Sequence, residues 1–220
     1  MSIQQLMLGV GAKKKTYMDD VFSTYLYTGD ASTQTINNGI NLSGEGGLVW
    51  AKKRGSAGNH MLTDTVRGNT KRIESSTADA ETTANNVLNS FNSNGFTVGY
   101  EAPFNQSGET FTSWTFRKAP GFFDIVTYTG NGSNRTIAHS LGSIPGFYMI
   151  KRLDTGSNWL TFHRDYTTAE HYIVLNDPDS MVSESDVSQD TRPTSSVFSL
   201  GTDSKVNADG GTYVCYLFAG

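Results

Sequence analysis

Gly210-Gly211-Thr212-Tyr213-Val214-Cys215-Tyr216-Leu217-Phe218 echoes Gly108-Glu109-Thr110-Phe111-Thr112-Ser113-Trp114-Thr115-Phe116. Each run opens on glycine and continues in β-branched and aromatic residues, the composition of a strand. Strand side chains alternate between faces. Thr112, Trp114 and Phe116 therefore share one face, and Val214, Tyr216 and Phe218 share the matching one. The opposite faces carry Phe111, Ser113 and Thr115 in the first copy and Tyr213, Cys215 and Leu217 in the second. The second copy is apolar on both sides, which predicts a central strand covered on both faces. Cys215 takes the place of Ser113 and reads as a small strand residue rather than a nucleophile.

Working outward, three more blocks repeat. Thr127-Tyr128-Thr129-Gly130 follows Leu26-Tyr27-Thr28-Gly29. Ile150-Lys151-Arg152 follows Ala51-Lys52-Lys53, and Phe198-Ser199-Leu200-Gly201 follows Phe96-Thr97-Val98-Gly99. The offset stays between 99 and 102 residues throughout, which predicts a duplicated domain. A unit of about 100 residues is of ordinary domain size. Charged residues are only 17% of the 220, and 23 are glycine, the balance of an all-β chain with many turns.

The net charge of −4 argues against general nucleic-acid binding, which needs excess Lys and Arg to displace counterions. Lys13-Lys14-Lys15 and Lys52-Lys53-Arg54 read as solvated surface. The single cysteine excludes an intrachain disulfide framework. No run of 18 apolar residues is present, so no membrane insertion is expected. The N-terminus lacks the pattern of a signal peptide.

The expected organisation is an extended N-terminal arm (1–20) followed by two tandem antiparallel β-sandwich, jelly-roll-like domains (21–120 and 121–220). Ile3, Leu6, Met7 and Leu8 give the arm an apolar cluster too short to fold alone. It reads either as an anchor on a neighbouring subunit or as an arm packed on its own domain. Strands are expected at 23–28, 48–52, 95–98 and 110–116, and the polar stretch 77–86 as loop. Arg117-Lys118-Ala119-Pro120-Gly121 is too short a linker for independent tumbling, so the halves should pack together.

No catalytic constellation, metal site or cofactor motif is predicted. His60, His139, His163 and His171 lack zinc-ligand spacing. His163 with Asp165, Glu170 and His171 is the nearest approach to an acid–base or metal grouping. The carboxylates fall mostly in loops, and the stretch Asp177 to Asp190 is the candidate for a calcium ion. For outward recognition of a host-surface glycan the candidates are Tyr100, Phe104, Asn105, Tyr166 and Tyr172. The competing reading of each is core or interface, since a domain must bury most of its aromatics.

Several stretches resemble a repeat-bearing virion protein family of marine tailed phages, cyanophages above all. They are the run from Thr16 to Gly29, Gly46-Gly47-Leu48-Val49-Trp50, Ser90 to Phe96, Ser113 to Asp124 and Tyr213 to Ala219. Members of that family are labelled tail-fibre-like or structural. The resemblance implies a non-enzymatic virion structural protein, assembled in the host cytoplasm and attached to other tail or capsid proteins through its arm. The implied partners include further copies of the chain. The competing readings are a capsid decoration or cement protein, a soluble carbohydrate-binding module and a polysaccharide hydrolase. The chain has neither a heptad stretch nor a collagen-like run, so a long trimeric shaft is not expected.

Overall fold

The computed structural model describes residues 16–220. The anchor residues Ile3, Leu6, Met7 and Leu8 lie outside the described residues.

The first half opens with a single turn, α1 (Met18–Val21), which runs straight into β1 (Phe22–Thr28). It continues through β2 (Gln34–Asn37), α2 (Leu42–Glu45), β3 (Gly47–Lys53), β4 (Met61–Asp64), β5 (Lys71–Glu74) and β6 (Thr82–Thr83). A hairpin of β7 (Leu88–Asn92) and β8 (Gly95–Val98) follows, then α3 (Ala102–Asn105) and β9 (Thr110–Arg117). The second half runs as β10 (Phe123–Thr129), β11 (Arg135–Ala138), β12 (Pro145–Arg152), β13 (Leu160–His163), β14 (His171–Val174) and β15 (Val182–Ser183), without counterparts of α1 and α2 among the described residues. It ends with α4 (Ser185–Ser188), β16 (Val197–Leu200), α5 (Ser204–Asn207) and β17 (Thr212–Ala219).

The chain is all-β and its strands pair antiparallel. One six-stranded sheet has the order β1-β9-β3-β4-β5-β6 and the other β10-β17-β12-β13-β14-β15. The order is the same once β9 is matched to β17. Each large sheet is backed by a small one, β2-β8-β7 in the first half and β11-β16 in the second. The layers of each sandwich are therefore unequal. The polar stretch 77–86 is loop apart from the two residues of β6, which pair with β5.

Alternation along the closing strands sorts the side chains as the sequence predicts. Phe111 joins Tyr27, Val49 and Ala51 beneath Ile36, Phe96 and Val98 of the small sheet. Tyr213, Cys215 and Leu217 join Tyr148, Ile150 and Phe162 beneath Ile137, Phe198 and Leu200. The opposite faces meet each other. Leu48, Leu62 and Ile73 of the first half pack with Phe123, Ile125, Met149, Trp159, Val214 and Tyr216 of the second. The result is four layers, small–large–large–small. Burying each such side chain contributes about 1.5–3 kcal/mol. β17 lies between β10 and β12 with both faces covered, which accounts for its apolar residues on both sides.

Both halves use the same internal anchor. Asn105 donates through Nδ2 to the carbonyls of Gly99 and Ser32 and accepts from the Asp30 N–H. Asn207 does the same with Gly201, Ser133 and Asn131. The Tyr27 hydroxyl donates to the Phe104 carbonyl, and the Tyr128 hydroxyl to that of Val206, each at 2.8 Å. Gly29 and Gly130 complete the motif. A Cβ at either would run into the backbone carbonyl of Gln106 or Ala208, so only glycine fits there.

Candidate functional site

The seam between the large sheets carries the most demanding chemistry in the described chain. Asp64 closes β4 and is fully buried. Its Oδ1 accepts the N–H groups of Val66 and Arg67, both at 2.9 Å, which pins the turn after the strand. Its Oδ2 meets Arg67 Nε at 2.6 Å and accepts the Tyr216 hydroxyl of the second half at 2.7 Å. Arg67 also donates to Tyr216 Oη at 3.0 Å and pairs with Glu81 at 3.0 Å. Burial holds the Tyr216 phenol well above the ordinary tyrosine value, so it stays protonated and donates. A buried charge is tolerated only when paired and hydrogen-bonded, and here Asp64, Arg67 and Tyr216 each have their polar ends partnered. This network reads as a lock between the halves.

Four further bonds cross the seam, among them the Glu81 N–H to the Leu153 carbonyl at 2.9 Å. Trp159 donates from Nε1 to the Glu74 carbonyl at 2.8 Å and stacks on Tyr216 at 6.3 Å. Lys151 is buried and donates to the carbonyls of Ala78, at 2.9 Å, and Ser157. Burial pushes the Lys151 ammonium down to about 8, with the Asp79 charge opposing. The Ser157 N–H donates to the Ala78 carbonyl at 2.7 Å.

The residues predicted for outward recognition do not form one site. Phe104 and Asn105 are 0% exposed, and Tyr172 is 2% exposed. None of the three can meet a surface ligand. Asn105 is the internal anchor, Phe104 belongs to the first core, and Tyr172 donates its hydroxyl to Glu184 at 2.7 Å from within the second. Tyr100 is exposed and takes a bond from Asn86; Tyr166 is half-buried against His163, in the other half.

The histidines are engaged separately. His139 accepts from the Leu141 N–H and its Nε2 contacts the Thr194 carbonyl, so it braces a buried turn. His163 accepts from the Asp165 N–H, whereas His171 bonds Thr168 and Glu170 bonds Ser183. Asp177 accepts the Asp179 N–H within its own turn, and Asp190 accepts the Ala169 N–H and ties two loops together. Glu184, Asp186 and Asp203 do converge in the second half. Lys205 Nζ already occupies the gathering, 2.7 Å from Glu184 and 3.0 Å from Asp203. Its hydrogen bond holds the Glu184 carboxyl below the usual range. Cys215 is buried on β17 with its thiol pushed well up, as a packing residue would be.

The exposed apolar side chains gather in two stretches of the sequence, 17–26 and 173–181. Of the ten large apolar side chains exposed among the described residues, Tyr17, Met18, Tyr25 and Leu26 fall within ten positions of one another. Met18 is 64% exposed and Leu26 57%. They lie in α1 and β1, with Tyr17 at the N-cap of α1, where the chain arrives from its apolar leader. Beside them a cleft of about 330 Å³ is lined by Thr16, Asp20, Asn41, Glu45, Arg117 and Lys118. This end of the molecule is the candidate assembly surface.

Sequence reasoning missed the Asn105–Asn207 pair as an anchor and the Asp64–Arg67–Tyr216 lock. The first had a signal, since both asparagines lie at the repeat offset. The second had none, because nothing in the first half's sequence announces which second-half residue will face it.

No curated protein and no solved structure matches the chain. Residues 18–220 match the model of a family described as a domain of unknown function, DUF7483. The match spans nearly all of the described residues, and the chain belongs to the DUF7483 family.

Proposed function

We propose that this protein is a non-enzymatic structural component of a tailed-phage virion, a tail-fibre-like or particle-surface appendage attached through its N-terminal arm. The observation that carries the reading is the gathering of exposed apolar side chains at Tyr17, Met18, Tyr25 and Leu26, where the apolar leader enters the fold. Large apolar side chains left exposed close together in the sequence are the material of an interaction site. Two further features favour assembly over turnover. The buried ionisable groups are spent on locking the halves together, and two of the three converging acids of the second half, Glu184 and Asp203, are paired with Lys205. The virion assignment itself rests on the resemblance of the Ser113–Asp124 and Tyr213–Ala219 stretches.

The test is mass spectrometry of purified particles, followed by the same measurement with Leu6→Asp and Leu8→Asp in the arm. The proposal expects the protein in particles at tens of copies or fewer and its loss on arm substitution. Its presence at hundreds of copies would make it a capsid decoration protein. Absence from particles, or turnover of a host glycan abolished by one carboxylate substitution, would overturn the proposal.

A further inference from the structure

The two large sheets present four edges, β1, β6, β10 and β15. An edge strand is a template for another strand unless it is short, charged, bulged or covered. β6 and β15 are two residues long and offer little to pair with. β10 is longer but blunted by Asp124. This buried carboxylate accepts the N–H of Ile125 on its own strand at 2.9 Å and the Ser140 N–H at 2.6 Å, and it pairs with Lys118 at 3.1 Å.

Among the described residues, β1 has none of these protections. Ser23 stands where Asp124 stands on β10, as the matched registers show. All seven residues of Phe22–Thr28 are uncharged, none is proline or glycine, and the pairing with β9 runs without a register shift. The Gly29 N–H bonds the Glu109 carbonyl. Hydrogen-bonded and non-hydrogen-bonded pairs alternate along an antiparallel ladder. Tyr27, Tyr25 and Ser23 therefore exchange bonds with β9, and Thr24 and Leu26 turn their N–H and C=O groups outward. Both residues are exposed.

We infer that β1 pairs antiparallel with β1 of a second copy, joining two six-stranded sheets into one continuous sheet of twelve. The occupant must be uncharged, β-prone and itself open along one edge, and this chain supplies such a strand. Pairing centred on Tyr25 sets Thr24 of each copy opposite Leu26 of the other. The outward groups of these residues then bond reciprocally, and no like charges meet along the strand. The contact is isologous. Such a contact uses the β1 edge of both copies, so pairing through it closes at two instead of growing into a filament. The inference concerns the purified chain and extends beyond particle attachment. A chain that is monomeric in solution yet incorporated into particles would sink the edge pairing and leave the proposed function standing.

The experiment is sedimentation equilibrium of the full chain over a concentration series, alongside Leu26→Lys and Leu26→Pro. Leu26→Pro removes one outward N–H per chain, hence two hydrogen bonds per pair, and should weaken self-association about tenfold or more. Leu26→Lys installs the charge that natural edges use. Circular dichroism reports that each variant is folded, and if Leu26→Pro is not, Leu26→Lys decides. The expected result is twice the chain mass for the parent and the single chain mass for the folded variants. A parent that stays monomeric at every concentration, or a folded Leu26→Lys variant that dimerises as the parent does, overturns the inference.

Discussion

Lys52 and Lys151 hold the same place on β3 and β12, and they live in different worlds. Lys52 reaches the Gly58 carbonyl at 3.1 Å and stays partly solvated. Lys151 reaches the matching Ser157 carbonyl but is buried, because the first half lays the Ala78 carbonyl over it. The same contrast recurs at His60 and Trp159, which both precede the fourth strand of their half. His60 is half-buried beside Trp50, and Trp159 lies fully buried under the other half. At Ile73 and Ile173 it is reversed, the first buried in the seam and the second exposed. Strand order is common to the halves. What differs is which part of each sheet the other half covers.

The largest expected effect breaks that contrast at its bulkiest residue. Trp159→Ala should cost about 3–5 kcal/mol, since it removes a buried aromatic and the shorter of two hydrogen bonds to the Glu74 carbonyl. His60→Ala should cost under about 1 kcal/mol. Denaturant midpoints for the pair measure it, and equal losses would erase the distinction. Next, Asn105→Ala and Asn207→Ala should each cost about 1–3 kcal/mol by leaving buried backbone groups unpaired. Here the halves should behave alike, and a large loss in one with none in the other would show that the anchors are not equivalent.

Lys151 sharpens the comparison through pH. Its folded value of about 8 lies below the unfolded 10.5, so the folded chain binds fewer protons between these limits. Stability should therefore rise as pH increases through that window. Unfolding curves for the parent and Lys151→Met, taken from pH 7 to 10.5, should diverge in slope. Parallel pH profiles would contradict the buried placement. The smallest effect belongs to Lys205→Met, about 0.2–1 kcal/mol, because that pair is partly exposed.

These contrasts also mark how far the sequence could be read. The repeat offset and the alternation in Thr110–Phe116 and Thr212–Phe218 announce an antiparallel sandwich, and both closing strands put the expected faces inward. The strand expected at 95–98 is β8, which pairs with β7 across a turn at Ser93-Asn94, with Asn92 facing Gly95. The candidate recognition residues were harder. Phe104, Asn105 and Tyr172 carry polar or aromatic groups that suit a ligand as well as a core, and their burial follows from one-turn helices and short strands with no periodic signature. The seam was beyond reach. Asp64 and Arg67 look like an ordinary surface turn until Tyr216, 152 residues away, is brought onto them. The β1 edge was visible only as an uncharged strand; its openness depends on the contrast with Asp124 on β10.

Differential scanning calorimetry of the full chain tests the central claim, that a shared apolar seam and its buried lock make the halves one cooperative body. The account predicts a single transition whose calorimetric and van't Hoff enthalpies agree. Two resolved transitions, each carrying the enthalpy of about one hundred residues, would contradict it.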